Sequence, residues 1–344
     1  MVDIDEYCRA ASEAAVVEKT GASPISPSPK EPLLAMEDRL EFLTPRPGGG
    51  CAMGCSSLTG RCWSGSVWLY DDPLQAPDIA MSQASHQLHA GVPCAVWISR
   101  DILVVGEDGG HVEWLSTAED PSKFTSLDSI SIHTSYVSCL AVNSDSTQLI
   151  TAGGDGMISV LDCNRQSKQV FCPAHASECC SVAYHTSDPR VFASTGLDGN
   201  VLIWDTRQEK PASGVHRNSS CPDTAVLWHP TSSGSGIGSL LIGSIGGSVR
   251  LHCTESRETL VSTEALSRRV AKFIPFESSS SSPVAVVGQQ ETVVVLDVAP
   301  NNISTLYTNS SQHSDIVSDV LWLSSKSLLS CGWDKSVRQH SLPS

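Results

Sequence analysis

Seven short runs of alternating apolar residues recur along this chain at nearly constant spacing. Compared at one shared position, they are marked by Trp68 (SGSVWLY), Trp114 (GHVEWL), Leu161 (MISVLD), Trp204 (NVLIWD), His252 (SVRLHC), Leu296 (TVVVLD) and His340 (SVRQHS). The marks stand 46, 47, 43, 48, 44 and 44 residues apart, close to the roughly 40 to 45 residues of a propeller blade. A unit of that size cannot bury its apolar faces alone and must stack on neighbours, so the spacing predicts a closed ring. The expected fold class is all-β, a seven-bladed β-propeller over residues 32–344 with a disordered or marginally helical N-terminal tail over 1–31.

The sharpest unit runs from Ala174 to Arg207: two alternating strands, CCSVAYH and RVFAST, a tight turn LDGN, and a third strand ending in Trp204 and Asp205. Asp198 stands six residues before Trp204, Ser194 ten before it, and His175 opens the unit. A carboxylate that only accepts, an imidazole, a hydroxyl and an indole N–H can satisfy one another in a buried cluster that ties the turn to two strands. The unit reads as a WD-repeat. The same offsets give His133, Thr151 and Asp155 in the third repeat and His313, Ser330 and Asp334 in the seventh. Asp108 keeps the turn offset in the second, whereas Cys62, Gly246 and Gln290 replace it elsewhere. Repetition also decides against catalysis. A hydrolytic Ser–His–Asp site is needed once, and three copies with the hydroxyl and carboxylate at equal offsets and a histidine opening each unit are what a structural cluster predicts. No phosphate-cradling loop, nucleophile elbow or H-E-x-x-H occurs, so neither enzyme activity nor a cofactor is expected.

Net charge of −15 disfavours nucleic acid and anionic membrane as direct partners and favours basic ones. Thirteen cysteines without a C-x-x-C pair argue against a metal site and a disulfide framework, and predict reduced, buried thiols. The absence of a signal peptide or membrane span predicts a soluble, intracellular chain. In the tail, GASPISPSPKEP at 21–32 cannot bury enough apolar surface to order itself, and its Ser-Pro steps at Ser23, Ser26 and Ser28 suit proline-directed kinases. Two Ser-rich stretches, 231–239 and 277–283, read as tolerant loops.

Two departures matter. The chain stops four residues after the last mark, so part of 33–45 is expected to supply the final blade's fourth strand and close the ring. In the first repeat, LTGRCWSG makes the connection between second and third strands about four residues longer than LDGN, with Trp63 at its tip. No alternating apolar context surrounds that indole, which therefore needs a pocket elsewhere.

Segment 56–70, SSLTGRCWSGSVWLY, with KPAS at 210–213, AVLWHP at 225–230 and LLSCGWDKSVRQH at 328–340, resembles the methylosome protein 50 family. The resemblance runs from about residue 36 to the end, and GRCW is its most specific element. It implies a non-catalytic propeller that serves as scaffold and substrate-presenting subunit for a type II, symmetric dimethylarginine-forming, protein arginine methyltransferase. It further implies a hetero-octamer of four copies each, presentation of Arg-rich substrates such as Sm proteins and core histones, and a cytoplasmic and nuclear location. Carried over by position, Trp63 would be the inserted anchor, with Arg61 and Cys62 beside it. The rival expectation is a substrate receptor of a cullin-based ubiquitin ligase, since IWDTR at 203–207 matches the W-D-x-R ending of such receptors.

Overall fold

Short runs rich in Val, Ile and Leu, buried on both faces in most second and third strands, turn most of the chain into short antiparallel strands. The structure, a computed structural model, describes residues 36–59, 62–164, 168–171, 173–208, 210–216, 221–229, 238–276 and 283–343. The tail 1–31 with its Ser-Pro steps, and nearly all of the two Ser-rich loops, lie outside the described residues. Blade one comprises β1 (Arg39–Pro45), β2 (Cys51–Thr59), β3 (Cys62–Tyr70) and β4 (Ala84–Leu88); blade two comprises β5 (Cys94–Trp97), β6 (Ile102–Gly106), β7 (His111–Ser116) and β8 (Thr125–Ser131). In all seven sheets the strands are hydrogen-bonded in sequence order, and the last has three strands among the described residues.

The ring is visible in the first strands. β1 touches β5, β5 touches Val137–Val142, and the series continues through Cys179–Tyr184, Asp223–His229, Val270–Pro275 and Val317–Ser324 back to β1. Among the described residues, the six junctions from blades one–two to blades six–seven each hold an apolar core of their own. Phe42, Val67 and Leu69 of blade one pack with Leu103, Val105 and Leu115 of blade two, and Ile150 and Val160 of blade three pack with Phe192 and Trp204 of blade four. This is a seven-bladed WD-repeat propeller. Cys51, Cys55, Cys94, Cys179, Cys180 and Cys331 are buried, unbridged thiols, and no described helix is long and apolar enough to cross a membrane.

Ring closure differs from the expectation. The N-terminal strand β1 pairs with β2 as the first strand of blade one, and does not join the final sheet. Phe42 explains the choice: its ring lies where a side chain on Gly54 would sit, so the bare backbone of β2 accepts β1 closely. β1 then meets blade seven through polar contacts. Ser318 Oγ donates to the Leu40 carbonyl at 2.6 Å, the Leu43 N–H donates to Asp319 at 3.3 Å, and Lys272 Nζ reaches Asp319 at 3.1 Å.

In blade two the expected mark is displaced by one residue. Leu115 pairs with Leu103 as Trp204 pairs with Phe192, whereas Trp114 faces the opposite junction with Leu149 and Leu161. The left-handed turn glycines give the cause. Gly110 (φ 81°) stands five residues before Leu115, the offset of Gly156 (φ 75°) before Leu161 and Gly199 (φ 77°) before Trp204. The turn aspartate's place is thus held by Gly109, and Asp108 sits one residue early. The Trp114 indole N–H finds no partner among the described residues.

Candidate partner-binding site

In blade four the Trp204 indole N–H donates to Ser194 Oγ at 2.8 Å, and that hydroxyl lies 2.8 Å from His175 Nε2. His175 Nδ1 is 3.0 Å from Asp198, which also accepts the backbone N–H of Ala176 at 2.9 Å and of Asn200 at 3.0 Å. An ionised carboxylate only accepts, so Nδ1 carries the proton and Nε2 accepts from Ser194. Blade three repeats the arrangement with His133 3.0 Å from Asp155 and 2.9 Å from Thr151, and Leu161 supplies no further donor. In blade seven His313 lies 3.0 Å from Asp334 and 2.6 Å from Ser330, and His340 Nε2 approaches the same hydroxyl at 2.7 Å.

Burial alone would raise these three carboxyl groups. Backbone N–H groups and the histidines, preceded at Asp334 by the Ser336 hydroxyl, outweigh it and hold Asp155, Asp198 and Asp334 below the usual carboxylate range. Thr151, Ser194 and Ser330 are fully buried, with hydroxyls already spent on these partners. A nucleophile so placed meets no substrate.

The outer end of the β2–β3 hairpin, beyond the part that β1 and β4 pair with, is a surface feature with no partner strand in its blade. Both strands are nine residues long, against five and six in β6 and β7, and the ladder runs out to Leu58 opposite Trp63 and Thr59 opposite Cys62. The extra residues therefore lengthen a strand pair instead of forming the long loop the sequence suggested, and Trp63 stands on β3. A hairpin arm holds an indole in a fixed direction, as a loop of the same length does not. Arg61 lies outside the described residues, and Cys62 is placed by its backbone alone. Trp63 is 47% exposed, the one aromatic among the large exposed apolar side chains of the described residues. Its inner side borders a hollow of about 370 Å³ lined also by Ala90, Asp108, Gly109 and Tyr136. Burial raises the Asp108 carboxyl above its ordinary range, and burial followed by a hydrogen bond with Glu178 does the same to the Tyr136 phenol.

The rim near Asp108 contains groups that offered no sequence signal, because their partners are distant in the chain. Trp333 donates its indole N–H to Glu41 at 3.1 Å, Arg39 lies 4.4 Å over the Trp333 ring, and Arg269 pairs with Glu178 at 3.3 Å.

The WD domain, G-beta repeat model matches residues 124–162, 166–205 and 303–341, which run from blade two into three, from three into four and from six into seven. The chain is 31% identical over 313 residues to Methylosome protein WDR77 of Xenopus laevis, covering 90% of this chain and 91% of that one. The chain belongs to the WDR77 methylosome protein family. Shorter likenesses also occur: Denticleless protein homolog of Mus musculus is 32% identical over 117 residues, 34% of this chain and 16% of that protein. Among solved structures, a chain of the "Crystal Structure of Mitotic Checkpoint Complex" superposes with a TM-score of 0.69 at 17% identity, covering 96% of this chain and 100% of that chain. That likeness concerns the fold alone.

Proposed function

We propose that this chain is the non-catalytic scaffold and substrate-presenting subunit of a type II protein arginine methyltransferase complex, with Trp63 as the anchor that enters the catalytic subunit. The observation that carries the reading is a half-exposed indole on a hairpin longer than its blade requires, in a chain matching a methylosome protein over nine-tenths of its length. Large aromatics placed in this way dominate interfaces because they bring much apolar area at little entropic cost. Arg61 and Cys62 precede it in the sequence and would be its companions in the interface. The assembly expected from the family resemblance is a hetero-octamer of four copies each, cytoplasmic and nuclear, that presents Arg-rich proteins such as Sm proteins and core histones. A net charge of −15 steers such substrates, and buried, thrice-repeated His, Ser and Asp groups support a subunit without chemistry or cofactor of its own.

The ubiquitin-ligase receptor reading has less behind it. Arg207 donates to Asp205 from both Nε and Nη2 within its own motif, and the Denticleless likeness spans only 16% of that protein. Affinity purification of the full chain from its native cells discriminates. An arginine methyltransferase chain in equal amount is expected. A cullin adaptor in its place overturns the reading.

A further inference from the structure

Between blades one and two, sharing no lining residue with the Trp63 hollow but lined by the chain neighbours of Ala90 and Asp108, lies a cavity of about 470 Å³ whose lining includes His86, His89, His111, Glu107, Glu113 and Ser126. Two of its carboxylates are deeply placed: Glu107 is 4% exposed and Glu113 8%. Glu113 is provided for, with His86 Nε2 at 3.3 Å and hydrogen bonds from His86 and Ser126 that outweigh burial and lower its pKa. Glu107 is not. Among the described residues no hydrogen bond or ion pair reaches its carboxylate, and burial, then the Glu113 charge, raises its pKa. Its backbone is fixed at both ends, the N–H donating to the His111 carbonyl at 2.9 Å and the carbonyl accepting from Val137 at 3.1 Å. Its carboxylate oxygens are not sealed off and open onto the cavity, where a charge largely shielded from water gains from a cation brought from outside.

The chemistry of the walls selects the cation. Two carboxylates in one lining suit a planar fork of N–H donors, and the lining also includes His86 and His89 of blade one and His111 of blade two, imidazoles on which such a plane can stack. An ammonium is a point charge that uses neither. A metal ion is disfavoured by placement, because among the described residues no group of three or more His, Cys, Asp or Glu is arranged to hold one. We infer that this inter-blade cavity binds the guanidinium of an arginine side chain presented on an extended peptide, with Glu107 as its principal acceptor and Glu113 as the second. The inference rests on the scaffold reading, since arginine-bearing polypeptides are what such a scaffold presents. It uses none of the residues of the Trp63 anchor, so the two fail separately.

The test is fluorescence anisotropy on the full chain with a labelled Arg-Gly repeat peptide and the same peptide carrying citrulline, which keeps the shape and loses the charge. The arginine peptide should bind at least tenfold tighter than the citrulline peptide. Glu107→Gln should remove most of that difference, Trp63→Ala should leave it unchanged, and Glu107→Gln should still bind the methyltransferase. Ser126→Arg, a change on an exposed strand position, should plug the cavity with an internal guanidinium and weaken the peptide equally, which keeps the test decisive if Glu107→Gln folds poorly. Equal binding of the two peptides, or unchanged arginine-peptide affinity in both variants, overturns the assignment. So does Zn²⁺ alone binding tightly enough to displace the peptide with loss of that binding in His111→Ala.

Discussion

His340 Nε2 lies 2.7 Å from the Ser330 hydroxyl, the place from which the Trp204 indole reaches Ser194 in blade four. The hydrogen-bond directions in blade seven follow from Asp334 being an acceptor. His313 donates from Nδ1 to Asp334, Ser330 donates to His313 Nε2, His340 donates from Nε2 to Ser330, and Tyr307 donates to His340 Nδ1 at 3.0 Å. In this chain of donors His340 accepts at Nδ1, and a second proton there would turn the Tyr307 contact into two donors facing each other.

Burial, then the neighbouring His313, lowers the His340 pKa from 6.5 to about 4. Between those values the unfolded chain binds a proton that the folded one refuses, so stability present above pH 6.5 is lost as pH falls toward 4. Denaturant midpoints at pH 7 and pH 4.5 measure the loss. His340→Trp restores the donor of blade four without a titrating group, and its midpoint should fall less over the same interval. Equal declines would assign the acid sensitivity to another residue.

Glu41 acts in the opposite direction. Burial is the largest cause that raises its pKa from 4.5 to about 7, with the Asp108 charge adding and the Trp333 indole, Lys272 and Arg39 opposing. The folded carboxyl holds its proton more firmly than the unfolded one, so its stabilisation is complete below pH 4.5 and disappears as pH rises through 7. Glu41→Gln can still accept the Trp333 N–H and never ionises. It should match the parent near pH 4.5 and exceed it by about 1–2 kcal/mol at pH 8, read from urea unfolding.

Removing Asp198 should orphan two backbone N–H groups and the His175 Nδ1–H in one step. Asp198→Ala is expected to cost roughly 1–3 kcal/mol, seen as a lower urea midpoint with little change in slope. Hydrolysis of ester or peptide substrates by the parent, lost in Ser194→Ala, would instead make these clusters catalytic.

The clasp between β1 and blade seven makes a different prediction from the one sequence order suggested. Asp319→Ala leaves Lys272 and the Leu43 N–H without their acceptor and should cost about 1–3 kcal/mol. Deleting residues 1–45 removes β1 altogether, exposing the edge of β2 and the Gly54 backbone that Phe42 covers. Size-exclusion chromatography should then show aggregate. A well-behaved monomer would mean that the other blades close the ring unaided.

What was readable in the sequence is what depends on local period and fixed offsets: seven blades, and the placement of His175, Ser194 and Asp198 together with their counterparts in blades three and seven. What was not readable depends on register or on distance along the chain. Trp114 carries the residue type of the shared position, but one residue fewer separates it from its turn glycine, and alternation then sends it to the other face. The sheet that β1 joins was decided by Phe42 against Gly54, a contact no repeat pattern encodes. His340 was aligned with the tryptophans, yet its hydrogen bond to Ser330 shows only once both strands are placed. Glu107 likewise looks like one of a pair of turn acids until blade one is set against it.

Trp63 is held by a hairpin arm and borders a hollow on blade two, so two outcomes are physically distinct. As an anchor entering a dry pocket of the methyltransferase, it should contribute on the order of 2–4 kcal/mol, a loss of roughly 30-fold to 1000-fold in affinity for Trp63→Ala, with the melting temperature nearly unchanged because about half the ring already faces solvent. As a cover for the hollow beside Ala90, Asp108 and Tyr136, its loss should lower the melting temperature and leave affinity almost intact. Trp63→Phe sharpens the comparison, since it keeps an aromatic plane of smaller area and should fall between parent and alanine in affinity alone. Arg61→Ala should cost less than Trp63→Ala. Titration calorimetry against the methyltransferase chain and thermal melting on the same preparations give both quantities, and an unchanged affinity in Trp63→Ala would remove this hairpin from the interface.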